Sequence, residues 1–313
     1  MSANVGPRIN YTNVNEKENA CSMRARLIFN PASGRRKTSK SLVRLLDDLK
    51  IQGIKAQPSP TSAPGHATSL AREAAEGGVD VVLVWGGDGT LNEVATGLLG
   101  SSVPMALLPG GSVNVFAREV GIPLRARAAC RGLVQAEPRT IPVGMVGDRP
   151  FLMMAGIGLD AEVVRGLEPG FKRRLGALAF WIRGFALLAT HPFPPFTVRI
   201  EGDEVMATSL IAGKIRNYGG KYVVTPEARL EKPSLDVMIF QGRSAFAHLR
   251  LLLGILGHFH LKLPDVLHFH TTQFEVDASD SIYCQVDGEL AGKAPLSVMI
   301  RPQALKMLLP PLS

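Results

Sequence analysis

From Arg24 onward the chain alternates short apolar runs with stretches of helical periodicity. Arg26-Leu27-Ile28-Phe29 is a compact apolar run, and Leu42, Leu45, Leu46 and Leu49 then recur at helical spacing, which predicts a strand followed by a helix. A second helix fits residues 66–76, where Ala67, Leu70, Ala71, Ala74 and Ala75 share one face and Gly77-Gly78 stops it. Residues 79–85 are almost continuously apolar and read as a fully buried strand. A helix over 91–99, a strand over 103–108 and a helix from about Val113 continue the series. Strands that alternate with helices are joined by crossovers, so this part is predicted to be an α/β domain, a mainly parallel sheet with helices on both faces.

After about Ile141 the pattern changes. Residues 196–200 and 205–210 flank Gly202-Asp203 as a hairpin, and further strands fit 235–240, 273–276, 282–286 and 296–300. Helices are expected only over 175–190 and 245–257, so the second part reads as a β-sandwich decorated by apolar helices. The boundaries that follow are a disordered tail over 1–22, an α/β domain over 23–142 with residues 302–313 packing back on it, and a β-rich domain over 143–301. A length of 313 residues suits two domains with a cleft between them.

Composition narrows the class. With 46% apolar and 20% charged residues the chain can fill two cores, and extended disorder is excluded outside the tail. That tail is polar and rich in Asn, without the apolar stretch of a secretory signal. Cys21, Cys130 and Cys284 are far apart and form no C-x-x-C pair, so neither a disulfide framework nor a zinc site is signalled and a cytoplasmic location is expected. Arg183 interrupts the apolar stretch 175–190, and Arg250, Lys262, Pro264 and Asp265 interrupt 246–269. Neither reaches the roughly 18–20 residues that a bilayer crossing needs, so no integral membrane segment is predicted.

The net charge of +8 attracts acidic partners. Basic residues cluster at Arg35, Arg36 and Lys37 and again at Lys172, Arg173 and Arg174, although each cluster also reads as a solvated face. Nucleic acid is set aside, because four Tyr and two Trp leave little stacking surface.

The candidate chemistry starts where the strand over 79–85 runs into Gly86, Gly87, Asp88, Gly89 and Thr90 and then a helix. Glycines let backbone N–H groups approach phosphate oxygens, and a helix start adds unpaired donors and the positive end of its dipole. Asp88 can hold magnesium or a water, and Thr90 can donate to phosphate. No G-x-x-x-x-G-K-S/T motif occurs, so this is not a P-loop. A second glycine turn, Pro109-Gly110-Gly111-Ser112-Val113-Asn114, and a polar turn, Asn30-Pro31-Ala32-Ser33-Gly34, also follow predicted strands. Parallel strands put their C-terminal ends along one edge, so the three turns converge on one crevice suited to a triphosphate. Downstream, Val286-Asp287-Gly288-Glu289 reads as a hairpin turn, or as the carboxylate that a hydroxyl acceptor requires for its proton.

Taken in order, Asn30-Pro31-x-Ser33-Gly34, the block from Gly86 to Val94, the Gly110 to Asn114 loop with Phe116-Ala117-Arg118, Gly156-Ile157-Gly158-Leu159-Asp160-Ala161 and Val286-Asp287-Gly288-Glu289 resemble the diacylglycerol kinase and sphingosine kinase superfamily, in its short bacterial lipid kinase form. The resemblance runs from about Arg24 to the C-terminus. It implies a phosphofructokinase-like nucleotide domain, a β-sandwich domain, and ATP with Mg2+ bound between them. By position it implies nucleotide contacts at Asn30, Ser33, Gly34, Gly86 to Thr90, Gly111, Ser112 and Asn114. It also implies Asp287 as general base with Glu289 beside it, Asp88 and Glu289 supporting Mg2+ through the nucleotide, and Asn92, Glu93 and Asp160 on the substrate side. Two positions depart from the pattern: Val113 stands where Gly or Ala is usual. In the loop 229–236, which holds a structural magnesium in some relatives, only Glu231 and Asp236 remain as acids.

The function so implied is ATP-dependent phosphorylation of a diacylglycerol-like lipid, with peripheral contact at the inner membrane face and the oligomeric state left open, a homodimer being one option. Residues 175–190 read equally as an interfacial helix that delivers lipid or as core. Two further readings stay open: a GGDGT kinase of a soluble acceptor, such as NAD kinase, and a catalytically silent nucleotide- or lipid-binding protein. His258, His260, His268 and His270 form two H-x-H pairs, for which interfacial or packing roles are expected because no acid stands at ligand spacing.

Overall fold

The computed structural model describes residues 22–31, 39–167, 177–219, 222–278 and 281–311. All but the last residue of the expected tail lies outside them, as do Ser33, Gly34, Arg35, Arg36, Lys37 and the Lys172-Arg173-Arg174 cluster.

The α/β half runs β1 (Met23–Phe29), α1 (Ser39–Ile51), β2 (Ile54–Pro60), α2 (His66–Glu76), β3 (Val81–Gly86), α3 (Asp88–Leu98), β4 (Met105–Pro109), α4 (Val115–Glu119) and α5 (Ala126–Gly132). Its strands lie in the order β2-β1-β3-β4, every pair parallel. All of β3 and β4 is buried, as expected of strands covered on both faces. β2 gives no strand signal in the sequence because Pro58 and Pro60 interrupt it. It forms at the sheet edge, where a missing N–H leaves no partner unpaired. α3 starts at Asp88 rather than at residue 91, with the extended Gly87 as its N-cap. Asp88, Gly89 and Thr90 are therefore the first turn of a helix, and only Gly86 and Gly87 lead into it.

The rest of the chain supplies β5 (Glu137–Val146), β6 (Arg149–Phe151), β7 (Met154–Gly158), α6 (Leu159–Arg165), α7 (Ala177–Leu187), β8 (Phe196–Ile200), β9 (Asp203–Ala207), β10 (Ser209–Gly213), β11 (Asn217–Tyr218), β12 (Tyr222–Val223), β13 (Leu235–Phe240), α8 (Ala245–Leu256), β14 (Val266–Thr271), β15 (Gln273–Asp277), β16 (Tyr283–Val286), β17 (Glu289–Lys293) and β18 (Leu296–Leu309). The predicted strand over 205–210 is two strands. β9 pairs with β8, the chain switches sheets at Thr208, and β10 joins a second, six-stranded antiparallel sheet in the order β14-β13-β10-β7-β16-β17. α6 is a further helix that periodicity does not reveal, being only two turns long.

Two faces close over one core, so the β-sandwich expected from the sequence is present. Val198, Phe274, Val276 and Val298 of the first sheet meet Ile157, Leu210, Val237, Ile239 and Val286 of the second. β13 shows the two-residue period plainly: Leu235, Val237 and Ile239 face that core, while Met238 and Phe240 join the core under α8 on the other side. β18 belongs to both halves. Its first residues pair with β15 in the sandwich, it runs antiparallel along β5, and Met307 pairs in parallel with Met105 of β4. Glu119 at the end of α4 adds a second tie by accepting from the Arg216 amide and the Asn217 side chain.

The loop 229–236 is held from inside by a buried ammonium. Lys214 is fully buried, and its Nζ donates to the carbonyls of Arg229, Lys232 and Ser234. Burial lowers its pKa to about 8. Replacing Lys214 with Met keeps the volume but leaves three carbonyls without a donor. The expected cost is about 2–4 kcal/mol in unfolding free energy, measured by denaturant titration.

Candidate functional site

The two glycine turns touch backbone to backbone. The Gly110 amide donates to Gly86 O at 2.7 Å, and a Cβ on Gly87 would stand 3.1 Å from the Cα of Gly111. Side chains at these positions would push the turns apart, which is one reason for the glycines that owes nothing to a ligand. Asp88 ties the turns further: its two oxygens accept from the Val115 amide at 3.0 Å and the Phe116 amide at 3.1 Å. Asn114, in the left-handed region, closes the second turn on itself through Gly111 N and Gly111 O. Ser112 is exposed, Thr90 is buried against Gly86, and Asn30 follows directly on β1 at the same edge. The Gly87 cap brings no side chain to the first amides of α3, which leaves that helix start suited to an anion.

One helical turn beyond Asp88 the halves meet. Asn92 Nδ2 donates to Asp287 Oδ2 at 2.7 Å and to Pro150 O at 3.0 Å. Asp287 lies in the turn between β16 and β17 with φ 49°, followed by Gly288 at φ 84°. Asp-Gly therefore does make the hairpin, and the same turn aims the carboxylate. Oδ2 also accepts from Leu152 N at 2.8 Å, and Oδ1 from Met153 N and Met154 N at 3.0 Å each. Burial raises this carboxyl to about 6 even though the four donors pull it down. Glu289 approaches the same helix start: a Cβ on Gly89 would stand 3.1 Å from its Oε1, and Arg149 pairs with it at 3.7 Å. The structure thus gathers Asp88, Gly89, Asn92, Asp287 and Glu289. Glu93 is engaged elsewhere, accepting from the Ala67 amide at the start of α2.

Asp160 is joined to this cluster through a residue that the motifs do not mark. Gln285 Nε2 donates to Asp160 Oδ2 at 2.6 Å, and Gln285 Oε1 accepts from Gly288 N at 2.7 Å. Asp160 Oδ1 accepts from the Tyr218 hydroxyl. Burial raises the Asp160 carboxyl, and both donors oppose that shift. A Gln between the buried Cys284 and Val286 is the signal that could have found it, since a buried amide must have partners. Asp160, Ser209 and Tyr218 are the polar members of a largely apolar cavity between the second sheet and α6, α7 and α8, whose walls include Trp181, Met238, Leu251 and Ile255.

The chain matches the family model described as Diacylglycerol kinase catalytic domain over residues 24–146, and the one described as YegS C-terminal NAD kinase beta sandwich-like domain over 154–309. It is 30% identical over 281 residues to the diacylglycerol kinase of Bacillus subtilis strain 168, spanning 87% of this chain and 91% of that protein. It is 26% identical over 281 residues to the diacylglycerol kinase of Staphylococcus aureus strain bovine RF122 / ET3-1, spanning 88% and 89%. The crystal structure of a diacylglycerol kinase from Bacillus anthracis strain Sterne shares the fold, with a TM-score of 0.73 at 21% identity over 92% of this chain and 98% of that one. Among the described residues no helix is long and apolar enough to cross a membrane.

Proposed function

Because the chain belongs to the diacylglycerol kinase family, and so is a lipid kinase with an alcohol acceptor, we propose that it moves the γ-phosphoryl group of ATP to the free hydroxyl of a diacylglycerol-like lipid, with Asp287 taking the hydroxyl proton. The observation that carries this reading is the 2.7 Å bond between Asn92 and Asp287. It puts the acid about 6 Å along α3 from the start of that helix, where an anion is favoured.

In this reading the nucleotide lies on the α/β half, over Gly86 to Thr90, the Gly111 to Asn114 turn and Asn30. The lipid lies against the β-rich half. Asp88 and Glu289 would repel a polyphosphate unless a cation stood between. Two carboxylates beside phosphate oxygens are a donor set that suits Mg2+ carried in with the nucleotide. Bound there, Mg2+ would offset charge on the phosphates. The Asp287 oxygens already accept four hydrogen bonds, so an arriving hydroxyl has to displace one donor. Asn92 is the only side chain among the four, and it is the one able to swing aside. Asp160, at the cavity, offers an acceptor for a lipid head group and reports its occupancy to the Asp287 turn through Gln285.

Incubation with labelled ATP and either diacylglycerol vesicles or NAD, followed by mass spectrometry, tests the proposal. A phosphorylated lipid is expected; phosphorylated NAD with no lipid product would reassign the acceptor.

Peripheral membrane contact belongs to the same proposal. Leu178 and Ile182 lie one turn apart on α7 and are exposed, as is Phe246 on α8, and other residues of both helices line the cavity. Ile182→Asp and Phe246→Asp are each expected to weaken vesicle binding about tenfold or more, since burying one such side chain contributes about 1.5–3 kcal/mol. Turnover of a short-chain diacylglycerol in free solution should be unchanged in both variants, and vesicle sedimentation provides the comparison.

A further inference from the structure

The second H-x-H pair has the acids that the sequence did not place beside it. His268 and His270 lie on one face of β14, and Asp236 of β13 stands directly across from His270 on that face. Asp236 is buried: its Oδ2 accepts from the amides of Glu227 at 2.8 Å and Ala228 at 3.0 Å, which pins the preceding loop against the strands. Its Oδ1 accepts from His268 Nε2 and lies 3.7 Å from His270 Nδ1. Glu227, on the pinned loop, reaches His270 Nε2 at 2.9 Å. One ligand atom from each of Glu227, His268 and His270 thus falls within 4.8 Å of the others.

From this arrangement we infer that Glu227, His268 and His270 form a binding site for a divalent transition metal, zinc being the best match, with Asp236 as the buried carboxylate that orients the imidazoles. Two imidazoles and a carboxylate are the donors that zinc takes in three-ligand sites, whereas Mg2+ and Ca2+ prefer oxygen alone. Ligand atoms about 2.0–2.2 Å from a shared ion stand roughly 3.4 Å apart in a tetrahedron, so the cluster, now within 4.8 Å, closes on an ion through side-chain movements of about 1 Å. Two carboxylates offset the two positive charges of the ion. Burial falls from Asp236 at the back, with 1% of its side chain exposed, through His268 at 24%, to His270 at 45% and Glu227 at 63%. The ion therefore has an open path from solvent, with a hydrogen-bonded carboxylate behind the imidazoles as metal sites commonly have. The site shares no residue with the Asp287 turn. Its effect would be structural: it clasps the loop after Thr225, including the carbonyls around Lys214, to the edge strand β14.

The test uses the full chain, stripped with a chelator and titrated calorimetrically with zinc chloride in excess Mg2+, with Co2+ as a spectroscopic probe of tetrahedral ligation. We expect one zinc per chain, a rise in Tm on binding, and a tetrahedral Co2+ absorption band. His270→Gln and Glu227→Gln, both at exposed positions that the fold tolerates, should weaken zinc at least about tenfold, and Asp236→Asn about 10–100-fold. The inference is overturned if the wild type takes up no zinc, or if a His268→Gln/His270→Gln double variant titrates as the wild type does. The cluster would then be hydrogen-bonded histidines and nothing more.

Discussion

Replacing Asp287 with Asn lowers ATP-dependent phosphorylation of diacylglycerol by about 100- to 10,000-fold, the range expected when a positioned general base is lost. The KM for ATP should change little, since the hydrogen bonds to the Asp287 carboxylate come from Asn92, Leu152, Met153 and Met154 and not from the glycine turns. The substitution also has a structural cost. Asn offers one oxygen where Asp offers two, so the amides of Leu152, Met153 and Met154 and the Asn92 side chain cannot all be satisfied. Asn92 cannot turn its own oxygen to the new amide without giving up Pro150 O. A loss of about 1–3 kcal/mol follows for each donor stranded, readable as a lower Tm.

The pH profile separates base from strut. With its carboxyl raised to about 6, Asp287 is a competent base above that pH and is protonated below it, so kcat/KM should fall about tenfold per pH unit on the acid side of 6. For stability the sign is opposite. The native state holds its proton more tightly than the unfolded chain does, at a reference value of 3.8, so the contribution is present below about pH 4 and is lost as pH rises through 6. An activity profile flat from pH 5 to 8 would remove Asp287 from the base role whatever the Asn variant does.

Gly156→Ala is expected to be nearly as severe although it adds a single methyl group. Its Cβ would overlap Asp160 Oδ2 and stand 2.8 Å from Gln285 Nε2. The backbone cannot yield, because Gly156 pairs with Ile211 of β10 on one side and with Gln285 of β16 on the other. Asp160 must therefore leave the Gln285 amide, and Gln285 in turn loosens its hold on Gly288. Overpacking together with a broken buried hydrogen bond amounts to about 2–5 kcal/mol, or roughly 5–15 °C in Tm. Lipid turnover should be lost beyond what unfolding accounts for. Gly132→Ala is the control, since nothing lies within 4 Å of the Cβ it would add. A Gly156→Ala protein with wild-type Tm and wild-type lipid KM would dissolve the proposed link from cavity to acid.

What the sequence discloses here is what local chemistry determines. Strands and helices announce themselves by period, and the turns around Gly86 and Gly110 by residues that few other backbones would need. β2 stays hidden because an edge strand can tolerate the prolines that mask it. The partners at the site stay hidden for another reason: they are separated along the chain. Asn92 meets Asp287 and Gln285 meets Asp160 across 195 and 125 residues, distances over which no pattern of spacing carries information. The acids around His268 are another instance, since Asp236 and Glu227 come from the neighbouring strand and the loop before it. Val113 differs, since its partner is only five residues away. Its backbone carbonyl accepts from Arg118 Nε, so this side of the second turn is tied to α4.

The double membership of β18 governs how the polypeptide is made. Until Met307 arrives, β4 has an open edge, because its neighbour follows it by about two hundred residues. During synthesis the α/β half therefore waits with one flank bare and prone to stray pairing while the sandwich is still being translated. Expression of residues 23–142 alone should yield aggregate, and supplying the 296–309 strand in trans, or grafting it behind β5 by circular permutation, should rescue solubility.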